Sequence, residues 1–277
     1  MRFVKGHGTE NDFVILPDPD GALDLTAEAV VRLCDRRAGI GADGILRVVR
    51  TKAMDLSDAD GPGGAEGLEG AEWYMDYRNA DGSIAEMCGN GVRVFARYLV
   101  DSGLAAPGEW DIATRGGLKR VTLGPSGDVS VDMGTPVPLG PGEASLAGAV
   151  FRGERVSMGN PHLACRVDRP VAALDLSRAP EFDPQAFPDG VNVEFYRPVG
   201  DRHLEMRVYE RGSGETRSCG TGTVAAAVAA AAGTTGPGEW TVDVLGGRLT
   251  VTLDGGTSHL RGPAVLVAEG ETRPGWI

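Results

Sequence analysis

Two stretches of this chain, 131 residues apart, set a cysteine and a Gly-x-Gly turn at the mouth of a helix: Cys88-Gly89-Asn90-Gly91 and Cys219-Gly220-Thr221-Gly222. Each follows a strand-like run that ends in a charged residue, Tyr77-Arg78 in one case and Tyr209-Glu210 in the other. The second helix holds only Ala and Val from Val224 to Ala232, so it has no polar face to offer water and must be buried all round. A repeat of this kind leaves few architectures open. The economical one is a pair of similar α+β domains, each with strands wrapped around one buried helix, facing each other across a cleft into which both cysteines point.

A helix N-terminus carries unpaired N–H groups and the positive end of the peptide dipoles, and both favour an anion there. A thiol so placed is expected to ionise more readily than a free one, whose pKa is about 8.5. Cys34, by contrast, falls inside a helical pattern from Thr26 to Arg36, with Thr26 as N-cap and Ala29, Val30 and Leu33 at helical spacing, and reads as structural.

Composition narrows the function. With 39 Asp and Glu against 27 Lys and Arg, the net charge of -12 argues against nucleic-acid or anionic-membrane partners, which need a basic surface. The N-terminus has no apolar signal core and no run reaches membrane-span length, so a cytoplasmic location is expected. In that reducing compartment Cys34, Cys88, Cys165 and Cys219 are expected as free thiols. No pair has Cys-x-x-Cys spacing, which disfavours both a zinc site and a thiol redox protein.

Along the chain, strands are expected at 2–5 and 12–16 around the turn Gly6–Asn11, then at 45–50 and 72–77. Residues 53–71, rich in Gly, Asp and Glu, read as a solvated loop without chemistry. Three β-type runs between 109 and 133 read as an antiparallel meander. The segment 134–148, with Pro136, Pro138 and Pro141, reads as a linker, and divides the chain into domains at 1–134 and 135–263. Further strands are expected near 150–157, 162–167, 191–196, 203–209, 240–244, 248–253 and 259–260, with a polar loop over 168–190.

Two thiols on opposite walls of a cleft suit stereoinversion at a carbon bearing an acidic hydrogen. One base removes the proton from one face while an acid delivers a proton to the other. The helix N-termini supply N–H groups for the carboxylate where charge grows, so neither a metal nor a pyridoxal cofactor is obligatory.

Taken together, Lys5-Gly6-His7-Gly8 through Asn11-Asp12-Phe13-Val14, Asn79-Ala80-Asp81-Gly82-Ser83 to Cys88-Gly89-Asn90-Gly91-Val92-Arg93, Gly159-Asn160-Pro161-His162, Asn192-Val193-Glu194-Phe195 and Glu210-Arg211-Gly212 to Cys219-Gly220-Thr221-Gly222 resemble the diaminopimelate epimerase family. The resemblance covers essentially the whole chain. It implies an α+β fold of two pseudo-symmetric domains, each an antiparallel barrel-like sheet around a central helix, with about 264–277 returning to the first domain. It implies further a pyridoxal-independent homodimer that interconverts LL- and meso-diaminopimelate for lysine and peptidoglycan synthesis.

By the same resemblance Cys88 and Cys219 are the acid/base pair, and His162 and Glu210 tune the thiols. Strand alternation places Glu210 beside Leu204, Met206 and Val208, where a carboxylate needs a polar ligand or partner, so Glu210 is a substrate-site candidate as well. Arg211 can grip a carboxylate, and Asn11, Asn79, Asn90, Asn160, Asn192 and Thr221, with Gly89 and Gly220, are the remaining substrate-site candidates. Some family members have glutamine where this chain has Gly44, so that contact must be absent or replaced. The nearest rivals, proline and hydroxyproline epimerases of similar architecture, tend to carry His where this sequence has Asn90. A non-catalytic diamino-acid binding protein would have no need of both cysteines.

Overall fold

The computed structural model describes residues 1–54, 67–232 and 237–276. The chain forms two compact units, Met1–Val131 with Pro263–Ile277, and Asp132–Gly262. Most of the expected loop 53–71 lies outside the described residues; its far end, Leu68 and Ala71, is buried against Tyr74 and Ala113. Among the described residues no helix is long and apolar enough to cross a membrane.

The N-terminal unit holds β1 (Arg2–Gly8), β2 (Asn11–Pro17), α1 (Ala27–Cys34), β3 (Gly44–Arg50), β4 (Trp73–Asn79), α2 (Gly89–Asp101), β5 (Gly108–Thr114), β6 (Gly117–Leu123) and the first half of β7 (Val129–Gly134). Most neighbours pair antiparallel. The exceptions are β2 with β3 and β4 with β5, and parallel pairs need a crossover, which α1 and α2 supply. The last strand of the chain, Val265–Glu271, closes the sheet by pairing antiparallel with β1.

Helix α2 is the centre of this unit. Its stripe Val92, Phe95, Ala96 and Leu99 is fully buried, and each of the three larger side chains contributes about 1.5–3 kcal/mol by leaving water. Gly103, at φ 69°, ends the helix in the left-handed conformation that glycine adopts most freely. The tight turn between β1 and β2 is narrower than the sequence suggests. It consists of Thr9 and Glu10, both at positive φ, while Gly6, His7 and Gly8 continue β1. Gly6 serves packing: a Cβ there would lie 2.9 Å from the Val265 carbonyl and 3.0 Å from Val94 Cγ1.

The C-terminal unit repeats the plan with β8 (Val137–Leu146), β9 (Ala149–Ser157), β10 (Pro161–Arg166), β11 (Glu181–Phe182), β12 (Asn192–Gly200), β13 (His203–Glu210), β14 (Gly214–Thr216), α3 (Gly220–Ala231), β15 (Gly238–Val244), β16 (Gly247–Leu253) and β17 (Ser258–Gly262). Again two pairs are parallel, β10 with β12 and β13 with β15, and α3 bridges the second. The crossover from β10 to β12 stands where α1 stands in the other unit. It is not the polar loop expected over 168–190: Val171, Leu174, Leu176 and Phe187 pack on Leu163, Cys165, Val193 and Phe195.

The reading of 134–148 as a linker is overturned. Residues 137–146 form β8, which pairs with β9 from Val137↔Ser157 to Leu146↔Ala149. The prolines are tolerated because Val137, Leu139 and their neighbours lie exposed along an edge, where a missing N–H costs no ladder bond, and a register shift falls between Pro138 and Gly140.

Candidate active site

In the N-terminal unit Cys88 is the N-cap of α2, in extended conformation at φ -137° and ψ 117°. Its Sγ lies 3.6 Å from Asn11 Oδ1, which also accepts a hydrogen bond from Asn90 Nδ2 at 3.2 Å. The Asn11 amide is oriented from behind: its Nδ2 donates to Asp43 Oδ2 at 2.8 Å, so its carbonyl faces the thiol. Arg36 holds Asp43 at 2.6 Å and Asp12 at 2.7 Å, and Lys5 also bonds Asp12. Burial alone would raise the Asp12 pKa, but the bonds from Arg36 and Lys5 bring it down to about 2. Gly89 and Asn90 are buried in the first turn of α2. Asn79, at the end of β4, donates to Ser83 Oγ at 3.0 Å. Gly44 has no room for a side chain, since a Cβ would meet the Arg78 carbonyl and the Tyr77 ring.

In the C-terminal unit Cys219 is the N-cap of α3 and is 6% exposed. A chain of polar contacts runs back from it. Its Sγ lies 3.5 Å from Thr221 Oγ1; Asn160 Nδ2 donates to that hydroxyl at 3.4 Å; Asn160 Oδ1 meets His162 Nε2 at 3.0 Å; His162 Nδ1 meets Glu194 Oε1 at 2.7 Å. His162 and Glu194 are both fully buried.

With Asn160 Oδ1 as acceptor, the proton on the ring sits at Nε2. A second proton must then lie between Nδ1 and Glu194, because two bare acceptors would repel at that distance. The pair is neutral whichever atom holds that proton, so His162 brings no net positive charge to Cys219. Glu210 accepts from Thr216 and bonds the Cys219 thiol. Burial pushes the Glu210 carboxyl up, and burial likewise raises Glu194.

The thiol of Cys219 therefore departs from the expectation drawn from its helix-start position. Burial, then the charges of Glu210 and Glu194, push its pKa well above the ordinary value. A helix N-terminus contributes only about 0.3–1 kcal/mol, too little to offset desolvation of a buried thiolate beside two carboxyls. Cys34 and Cys165 are also free and buried, and burial pushes both up to about 12, which leaves them inert.

Asn192 is engaged at both ends, donating to the Pro161 carbonyl at 3.1 Å and accepting from the Arg211 N–H at 3.0 Å. The exposed Arg211 side chain donates to the Asp189 carbonyl at 3.0 Å. Glu194, Thr216 and Asp43 join these hydrogen-bonded chains without being among the candidates that the sequence offers. Glu194 had a signal, a carboxylate inside the apolar run Val191–Tyr196, whereas Thr216 had none.

Known proteins share this sequence and this fold. The family model described as diaminopimelate epimerase matches residues 3–139 and 155–271. The chain is 61% identical over 276 residues to a diaminopimelate epimerase of Thermobifida fusca, covering 99% of this chain and 98% of that protein. It is 53% identical over 288 residues to the one of Rhodococcus opacus, covering 100% and 98%. Among solved structures, the fold resembles a phenazine biosynthesis protein of the PhzF family from Bacillus anthracis, with a TM-score of 0.67 at 17% identity, covering 99% of both chains. It also resembles a hydroxyproline epimerase from Agrobacterium vitis, with a TM-score of 0.66 at 16% identity, covering 98% of this chain and 91% of that one. A duplicated α+β fold, a cysteine capping the central helix of each half and full-length identity above one half place the chain in the diaminopimelate epimerase family.

Proposed function

We propose that this protein interconverts LL- and meso-diaminopimelate by a two-base mechanism in which Cys88 and Cys219 act on opposite faces of one α-carbon. The observation that carries this is the pair of cysteines, each the N-cap of its unit's central helix, in a chain 61% identical to a diaminopimelate epimerase. One sulfur, as thiolate, takes the α-proton; the other, as thiol, gives a proton to the opposite face, and the stereocentre inverts. First-turn N–H groups of α2 and α3 receive the α-carboxylate as charge grows on it. The roles exchange for the reverse direction, and no pyridoxal or metal is called upon.

In this reading Asn11, Asn90, Asn160 and Thr221, with Gly89 and Gly220, surround the reacting centre, while Asn79 and Arg211 hold the distal amino-acid head. Asn192 fixes the backbone of Arg211, and His162 and Glu210 tune Cys219. The protein works as a homodimer in the cytoplasm, in lysine and peptidoglycan precursor synthesis.

The test is incubation in deuterated water with LL- or meso-diaminopimelate, without pyridoxal phosphate and under reductant. Deuterium should enter one α-carbon, and Cys88→Ala and Cys219→Ala should each abolish turnover while leaving the circular dichroism spectrum unchanged. Incorporation into proline but not diaminopimelate would sink the substrate assignment, and substantial turnover by either alanine variant would sink the two-base mechanism.

A further inference from the structure

Arg93 interrupts the apolar stripe of α2 and has no place in the mechanism above. Its side chain is fully buried. Nη2 donates to Thr9 Oγ1 at 3.1 Å and Nε to the Pro263 carbonyl at 3.4 Å, while Nη1 has no hydrogen-bond partner. Among the described residues it forms no ion pair with Asp or Glu. Three acids on strands that pack against α2 are committed elsewhere: Asp12 to Lys5 and Arg36, Asp76 to Arg78 and Arg115, Glu269 to Arg2.

An arginine buried without a counter-ion costs several kcal/mol, so its charge needs an anion nearby. Helical side chains lean toward the helix N-terminus, and Arg93 follows that rule. A Cβ on Gly8 would lie 3.0 Å from both Arg93 Nη2 and the Asn90 carbonyl, so the guanidinium sits beside the first turn that Cys88 caps. Burial lowers the Arg93 pKa to about 10, and the leading charge working against that is Cys88, followed by Asp128.

We propose that Arg93 is the counter-cation of Cys88, a positioning residue that makes the cysteine of the N-terminal unit the one that rests as thiolate. This rests on the acid/base reading of Cys88. The contrast with the other unit is direct: Cys219 has the Glu210 carboxyl and a neutral His162–Glu194 pair around it, whereas a buried guanidinium lies beside the helix turn that Cys88 caps. Gly8 is thereby explained too, because a side chain there would crowd the guanidinium and the Asn90 carbonyl, both 3.0 Å from its Cβ.

The experiment is the pH dependence of iodoacetamide alkylation at Cys88, resolved from the other cysteines by peptide mass mapping on the full chain without substrate. Arg93→Met should raise the midpoint for Cys88 by at least one pH unit and leave that of Cys219 in place. Arg93→Lys keeps the charge while losing the fork that reaches Thr9 and Pro263, and should hold the Cys88 midpoint within half a unit of wild type. Equal midpoints in wild type, Met and Lys variants would overturn the proposal, as would a Lys variant that shifts as far as Met, which would make Arg93 a purely structural tie. Because alkylation is read without turnover, either result is separate from the fate of Cys88→Ala in the deuterium assay.

Discussion

Replacing Gly222 and Gly91 by alanine, one at a time, separates two settings that the sequence makes look equivalent. Both glycines stand three residues after their cysteine, in the first turn of a helix, where alanine gains up to about 1 kcal/mol over glycine by propensity. At Gly91 a new Cβ would meet Leu46 Cδ2 at 3.2 Å, Cys88 Cβ at 3.5 Å and Phe13 Cζ at 3.6 Å, so Leu46 need only yield by a few tenths of an ångström. At Gly222 it would overlap the Glu194 carboxylate, which is fully buried and bonded to His162 at 2.7 Å.

The carboxylate cannot retreat without leaving His162. Overpacking costs about 1–3 kcal/mol, and parting a buried charged pair costs about 3–5 kcal/mol when one member is left alone. The low end of parting the pair, about 3 kcal/mol, less about 1 kcal/mol of propensity, leaves a net loss for Gly222→Ala of about 2 kcal/mol or more. At about 2–4 °C per kcal/mol for a chain of this size class, the melting temperature should fall by about 4–8 °C. Gly91→Ala should stay within about 2–4 °C of wild type, the equivalent of roughly 1 kcal/mol. Differential scanning calorimetry at neutral pH reads both. A Gly222→Ala variant as stable as wild type would refute the packing argument, since it would mean that Glu194 is free to move.

Two further outcomes follow from the electrostatics. Glu210→Gln removes a charge that pushes the Cys219 thiol up, so the alkylation midpoint of Cys219 should move to lower pH while that of Cys88 stays; no movement would mean that burial alone sets Cys219. Asp12 is depressed to about 2 against an unfolded value of about 3.9, so its contribution is present above about pH 4 and is lost as pH falls toward 2. Melting temperature should therefore fall less steeply between pH 4 and 2 in Asp12→Asn than in wild type, and parallel curves would contradict the assignment.

The features legible from sequence were those with a local physical signature. The cysteine caps follow from Gly-x-Gly before a helix, the N-cap at Thr26 from its hydroxyl, which accepts from Ala29 N–H at 3.2 Å, and the burial of α3 from its all-Ala/Val composition. What was hidden depends on partners far along the chain. Strand β8 was masked by prolines that are harmless only because it lies on an edge. The core made by residues 171–187 was masked by polar neighbours, although it fills the place of a helix. The thiol chemistry of Cys219 is hidden because a cap position reveals the dipole but not the two carboxyls brought beside it from β12 and β13. Arg93 reads as a surface charge on a helical wheel until the strands on every side are known.

The pairing of the first strand with the last, Arg2 opposite Glu271, also sets an order of assembly. Residues 132–262 are contiguous, whereas the unit that contains β1 keeps an open edge along that strand until Val265–Glu271 has been made. The carbonyl that holds Arg93 belongs to Pro263, the first residue of that returning segment. The half translated first is thus finished last, and a chain truncated before Pro263 has a complete C-terminal unit but lacks the tie that steadies the charge behind Cys88.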